Sequence, residues 1–256
     1  MKCLIIAAGY ATRLYPLTEN FPKPLLKVGD KTILDWLIDD LDSTGLIDGY
    51  IVVTNHKFAP IFEVWAAAGR SGDRAVSVMS PLPARIAIID DGTSSNETRL
   101  GAVRDIELGI RKCAVDDDLL VMAGDNLLSF SLKSFVDYFN EKKTSCVMRY
   151  YEPELAKLRK TGVAEIDRNG RIISMEEKPA EPKSHWCTPP FYIYRREDLP
   201  LVSEGIAAGC GVDAPGSFIA WLCGQTTVHA FEMPGPRYDI GNLESYEAVK
   251  KIFSNE

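Results

Sequence analysis

The chain has 256 residues, 46% hydrophobic and 25% charged, proportions of a globular protein that exclude a disordered or fibrous one. Its 29 Lys and Arg against 36 Asp and Glu give a net charge of −7, which does not provide the basic footprint of a nucleic-acid binder. No apolar run approaches the roughly 18 to 20 residues of a membrane span, so neither nucleic acid nor membrane is expected as a partner.

In chain order, Met1 to Ala8 reads as a short, fully apolar strand ending in a glycine loop, as in a buried parallel sheet. Ile33, Leu34, Leu37, Ile38 and Leu41 fall at helical spacing, with Gly45 as the stop. Strand Tyr50 to Thr54, helix Ile61 to Ala68, strands Ala75 to Met79 and Arg85 to Ile89, helix Leu100 to Lys112 and strand Leu119 to Ala123 continue the rhythm. This alternation predicts an α/β fold with a doubly wound sheet. Ser131 is placed to cap a helix through Asn140, strand Ser145 to Tyr151 follows, and a charged helix is expected after Pro153. Val163 to Asp167, the turn Arg168-Asn169-Gly170 and Arg171 to Met175 predict a β-hairpin, since Asn-Gly supplies positive φ angles. Ala180 to Pro190 reads as an irregular loop too polar for the core. Strand Phe191 to Tyr194, a helix-like stretch to Gly209, strand Thr226 to Glu232 and helix Leu243 to Phe253 close the sequence.

Length alone allows one large domain or two small ones at about 150 residues each. With neither repeat nor linker in sight, the expectation is a single domain over 1–256. Its two parts would span about 1–130 and about 131–256. The apolar run Cys3 to Ala8 is shorter than the roughly 7 to 15 residues of a signal-peptide core. The six cysteines form no C-x-x-C pair, so reduced thiols and a cytoplasmic location are expected.

The segment Ala7-Ala8-Gly9-Tyr10-Ala11-Thr12-Arg13, followed by Pro16, Thr18 and Pro22-Lys23-Pro24-Leu25, carries the strongest chemical signal. A glycine loop after the first strand lets backbone N–H groups approach phosphate oxygens, and Arg13 and Lys23 are the cations available for the rest of a triphosphate. Pro22 and Pro24 restrict the backbone around Lys23. Gly9 lacks the further glycines of G-x-G-x-x-G, so a dinucleotide cofactor is not supported. Gly29-Asp30-Lys31-Thr32 lacks the glycines of a P-loop.

Residues Ala7 to Leu26 resemble the opening motif of the sugar-1-phosphate nucleotidylyltransferases, a Gly-rich loop with Thr-Arg, then Pro, Leu, Thr and Pro-Lys-Pro. The departure is Tyr10 with Ala11, where many members carry Gly or Ser, giving a bulkier loop. The resemblance runs through ordered motifs to about Phe253 and implies the Rossmann-like nucleotide-diphospho-sugar transferase fold, with a mixed, mostly parallel central sheet. It implies transfer of a nucleotidyl group from an NTP to a sugar 1-phosphate, with Arg13 and Lys23 catalytic and Ala8 and Gly9 on the nucleotide.

Asp125 in Gly124-Asp125-Asn126 and Asp239 in Tyr238-Asp239-Ile240-Gly241 are then the candidate metal ligands. Two hard carboxylates with phosphate oxygens and waters suit octahedral Mg²⁺. Gly162, Glu177 and Lys178 match the family's sugar-phosphate-binding positions, the carboxylate accepting from sugar hydroxyls while the ammonium holds phosphate. For the base, Asp90-Asp91-Gly92-Thr93 and Thr98-Arg99-Leu100-Gly101 supply Asp91 and Gly101. Asp91 stands where uridylyl- and thymidylyltransferases usually carry Gln, which leaves base identity open. No hexapeptide-repeat extension follows Asn242, so a lone catalytic module is expected.

Two alternatives accompany this reading. One is a cytidylyltransferase acting on phosphocholine or another alcohol phosphate, for which Tyr150, Tyr151, Trp186 and Tyr192 are available as an aromatic cage. The other is a non-catalytic nucleotide-sugar-binding regulatory protein. His56, His185 and His229 lack ligand spacing, so a zinc site is not expected. Trp36 and Trp65 are expected to pack.

Overall fold

The computed structural model describes residues 1–68 and 86–253. In chain order the elements are β1 (Lys2–Ile6), β2 (Lys27–Val28), β3 (Lys31–Thr32), α1 (Ile33–Thr44), β4 (Gly49–Thr54), α2 (Ala59–Ala67), β5 (Ile86–Asp90), α3 (Ala102–Lys112), β6 (Leu119–Ala123), β7 (Asn126–Leu128), α4 (Lys133–Lys142) and β8 (Ser145–Tyr151). They continue with α5 (Leu155–Leu158), β9 (Gly162–Ile166), β10 (Ile172–Glu177), β11 (Trp186–Thr188), β12 (Phe191–Tyr194), α6 (Leu201–Ala207), α7 (Gly216–Leu222), β13 (Val228–Glu232), β14 (Arg237–Asp239) and α8 (Leu243–Phe253). The strand expected over Ala75 to Met79 lies outside the described residues.

Two compact units form, one from Met1–Arg99, Ala123–Ser131 and Pro236–Glu256, the other from Leu100–Met122 and Leu132–Gly235. Their borders differ from the expected division near residue 130. The β14 strand returns to pair antiparallel with β7, which carries the end of the chain into the first unit. Helix α3 packs on α6, which places it in the second.

In the first unit β1, β4 and β5 are parallel, and every residue of β4 is buried. Helix α1 begins where Thr32 Oγ1 accepts from the Asp35 N–H while Asp35 Oδ2 accepts from the Thr32 N–H, a reciprocal cap. It ends at Gly45, whose φ of 67° lies in the left-handed region. A separate core gathers Leu14, Leu26, Val28, Ile33, Leu127, Ile240, Tyr246, Val249 and Phe253. It ties the segments after β1, around β7 and after β14 into one scaffold.

The second unit is built on antiparallel pairings: β10 with β9, β9 with β11, β11 with β8, and β12 with both β8 and β6. Strand β13 runs parallel to β8, so the sheet is mixed as expected. Three local expectations need correction. The stretch Ala180 to Pro190 contains β11, where Cys187 is fully buried and Thr188 nearly so, because strands on both sides satisfy its backbone. In the β9–β10 turn only Gly170 has positive φ, and Asp167 Oδ1 organises the turn by accepting from the N–H groups of Asn169 and Arg171. Helix α4 starts two residues beyond Ser131, with Leu132 as its N-cap. Among the described residues no helix is long and apolar enough to cross a membrane, and no disulfide joins the six cysteines.

Candidate active site

The loop after β1 is anchored from behind. The Ala7 N–H donates to Val53 O, the Asn55 side chain to Ala8 O, and Thr18 Oγ1 to Ala11 O. Tyr10 turns inward, 6% exposed, and its hydroxyl donates to Thr93 O. Its bulk therefore goes into the core rather than the loop mouth. Ala11 adopts φ 48°, a conformation that favours glycine. Gly9 is exposed, its φ is not left-handed, and a Cβ there would meet nothing within 4 Å. The chain's own packing therefore makes no demand for a glycine at 9.

Lys23 lies in the turn Lys23–Leu25, preceded by extended Pro22. The residue is only 7% exposed, a burial lysine rarely reaches without a partner. Its ammonium donates to Asp125 Oδ2 at 2.7 Å, and the Asn126 amide donates to Asp125 Oδ1 at 2.7 Å. Gly124 explains how the two motifs fit: a Cβ there would sit 3.1 Å from Ile5 Cγ2 and 3.2 Å from Pro24 Cγ. Sequence reasoning missed this close approach, whose only signal was glycine immediately before the aspartate.

Asp239 comes to the same place, because Asn126 faces Asp239 in the antiparallel β7–β14 register and Asp125 O accepts from the Ile240 N–H. Arg237 also donates to Asn126 Oδ1. Arg13 Nη1 and Asp239 Oδ2 each lie 3.9 Å from where a Gly241 Cβ would stand, so Gly241 leaves room between them. Arg13, Lys23, Asp125 and Asp239 thus belong to one unit. Among the described residues no cluster of three or more His, Cys, Asp or Glu gathers. Two carboxylates, the side chain of one 36% exposed and the other residue exposed, fit an ion that keeps several waters and takes few protein ligands, as Mg²⁺ does.

Asp91 lies beyond the carboxyl end of β5 in the first unit. Its Oδ1 accepts from the Thr93 N–H and hydroxyl, both at 2.7 Å, while its buried Oδ2 has no partner among the described residues. Burial pushes its pKa above the ordinary carboxylate range. Next to it Asp90 Oδ2 pairs with His56 Nδ1 at 2.6 Å. Gly101, in the second unit, has φ 95°, and a Cβ would lie 2.5 Å from Val212 O. The first amides of α3 donate to Asp213 O and Val212 O. The chain's own packing therefore requires this glycine, independently of any nucleotide.

Gly162, Glu177 and Lys178 come together in the second unit, where β9 and β10 place Gly162 opposite Glu177. Glu177 is half-buried, and no hydrogen bond to its carboxylate occurs among the described residues. Desolvation raises its pKa, and the Lys178 charge opposes that shift. Lys178 takes φ 51°, a strained conformation for a lysine, with its N–H donating to Thr161 O.

The four candidate cage aromatics have other contacts. The Arg149 guanidinium covers the Trp186 ring at 4.1 Å, Tyr151 stacks on His185, Tyr150 packs beside Val163 and Cys187, and buried Tyr192 stacks on Tyr194. Each of these contacts is within the protein, and none of them groups the four rings around a common point. Trp36 donates its indole N–H to Val28 O and Trp65 to Asp35 Oδ1, as packing residues do.

A family model described as nucleotidyl transferase matches residues 2–255. A UTP–glucose-1-phosphate uridylyltransferase of Synechocystis is 26% identical over 266 residues, covering 100% of this chain and 64% of that protein. A glucose-1-phosphate thymidylyltransferase of Streptomyces griseus is 27% identical over 218 residues, covering 81% of this chain and 52% of that protein. The chain thus spans between about half and two thirds of the length of these curated relatives. A crystal structure of UDP-glucose pyrophosphorylase complexed with UDP-glucose superposes with a TM-score of 0.78 at 20% identity, covering 99% of this chain and 98% of that one, which shows a shared fold. On the match over nearly its whole length, the chain belongs to the nucleotidyl transferase family.

Proposed function

We propose that the chain transfers a nucleotidyl group from an NTP to a sugar 1-phosphate, yielding a nucleotide sugar and pyrophosphate. The observation that carries this reading is the Lys23–Asp125 pair, a lysine whose side chain is 9% exposed against a carboxylate that solvent still reaches. The family membership and the names of the relatives support the reaction class. In this reaction an acceptor phosphate oxygen attacks the α-phosphorus, and the bond to the oxygen bridging to the β-phosphorus breaks as pyrophosphate leaves. No covalent enzyme intermediate is needed, so catalysis is alignment and charge stabilisation.

The open loop at Gly9 presents backbone N–H groups to the triphosphate. Lys23 is the cation for charge developing at the α-phosphoryl group, and Arg13 the cation for the departing pyrophosphate. Asp125 and Asp239 would hold Mg²⁺, which when bound supplies charge neutralisation on the reacting phosphates. Glu177 accepts from sugar hydroxyls, Lys178 pairs with the acceptor phosphate, and Gly162 contributes backbone to that subsite. Asp91 and Gly101 are assigned to the nucleotide.

Pyrophosphate release tests the reading, with UTP, dTTP, CTP, GTP and ATP screened against sugar 1-phosphates and phosphocholine in the presence of Mg²⁺. Release that needs one NTP and one sugar 1-phosphate, and is lost in Asp125→Ala, is expected. Turnover by Arg13→Ala and Lys23→Ala at the wild-type rate would remove the mechanism.

A further inference from the structure

The Glu177 carboxylate rests on two glycines from different parts of the second unit. Gly162 faces it across the β9–β10 ladder, and Gly216 opens α7, which packs on β10. A Cβ at Gly162 would come 3.0 Å from Glu177 Oε2 and 2.5 Å from Thr188 Oγ1. A Cβ at Gly216 would overlap Glu177 Oε2 outright and sit 3.3 Å from Glu177 Cδ. Neither glycine has a left-handed φ, so at both positions the requirement is space and not backbone conformation. Gly216 is buried and is the first residue of α7, where its φ would accept alanine as readily as glycine.

We propose that Gly216 is a positioning residue for the acceptor subsite, its missing side chain giving the Glu177 carboxylate the place from which it meets the sugar. This rests on the assignment of Glu177 to the sugar phosphate made above. The atoms that a new methyl group would strike are the flexible ends of Glu177 and Met175, not backbone. Gly216→Ala therefore folds, and it is the glutamate that gives way. A carboxylate displaced by an ångström loses hydrogen bonds whose strength depends on donor–acceptor distance.

The test is a double-mutant cycle with steady-state kinetics and a crystal structure of Gly216→Ala. In that variant the KM for the sugar 1-phosphate is expected to rise tenfold or more, with the KM for the NTP and the melting temperature close to wild type. In a Glu177→Asp background, where the carboxylate is one methylene shorter and vacates the overlapped position, Gly216→Ala should add less than a twofold further change. Independent, multiplying effects would overturn the proposal, as would a rise in the KM for NTP instead. The crystal structure separates this proposal from the assigned reaction. A Glu177 carboxylate that keeps its wild-type place in Gly216→Ala refutes the positioning role even if the enzyme is active. Conversely, a displaced carboxylate in a protein silent across the substrate panel would refute the assigned reaction and leave the steric relation standing.

Discussion

Lys23 Nζ and Asp125 Oδ2 stand 2.7 Å apart across 102 residues of sequence, and the two motifs that carry them touch through Pro24 and Gly124. The pair is unequal, since the lysine side chain is 9% exposed and the aspartate 36%. Removing either member therefore has a different consequence.

Lys23→Met removes the buried charge, keeps an apolar stem of similar length and leaves a carboxylate that water can reach. Its fold should be nearly as stable as wild type, while turnover falls a hundred- to thousand-fold, about 3 to 4 kcal/mol of barrier. Asp125→Ala instead strands the ammonium, and denaturant unfolding should show a loss of about 1–3 kcal/mol. Equal stability of the two variants would contradict this asymmetry.

Two glycines of the first unit separate function from packing. Gly9→Ala meets no atom within 4 Å and no conformational penalty, so its stability should stay within about 0.5 kcal/mol of wild type while the KM for NTP rises. Gly124→Ala forces a methyl group against Ile5 and Pro24 and should cost about 1–3 kcal/mol as overpacking. Urea titration of both variants, beside their kinetics, reads the contrast.

Gly101→Ala combines a left-handed φ with a clash against Val212 backbone, which cannot swing aside as a side chain does. A loss of more than about 2 kcal/mol is expected, in the absence of any nucleotide. A variant of unchanged stability with weakened nucleotide binding would show that the glycine serves the ligand alone.

Glu177 is raised above its ordinary pKa by burial. A carboxyl group whose folded pKa exceeds its unfolded one costs the native state nothing below the unfolded value and progressively more as pH rises through the folded value. Glu177→Gln should therefore melt above wild type at pH 7 to 8, with the difference shrinking toward pH 4, and it should lose sugar-phosphate affinity at the same time. Thermal scans across that range check the sign. A constant difference would mean that the effect is packing and not charge.

Local pattern made much of the fold legible. The apolar spacing from Ile33 to Leu41 and the Gly45 stop define α1, and Phe191 to Tyr194 and Leu243 to Phe253 were readable as β12 and α8. Each is an element whose pattern is complete within a few residues. Strand β11 was not legible, because three residues among prolines carry no period and become a strand only by pairing on both sides. The short β7 and β14 escaped because three residues carry no period, although their pairing brings Asp125 and Asp239 to one two-stranded ribbon.

The candidate site divides in the same way. The sequence by itself determined that Arg13 and Lys23 are cations, that Asp125 and Asp239 are carboxylates, and that Glu177 sets a carboxylate beside the Lys178 ammonium, because residue type alone sets charge and donor capacity. Only the tertiary structure decided which glycines are there for packing and which leave space. Gly101 is filled by Val212, Gly124 by Pro24 and Gly216 by the Glu177 carboxylate, whereas Gly9 faces nothing within 4 Å. That distinction depends on where distant backbone and side chains pass, and a glycine looks the same in sequence whatever lies beside it.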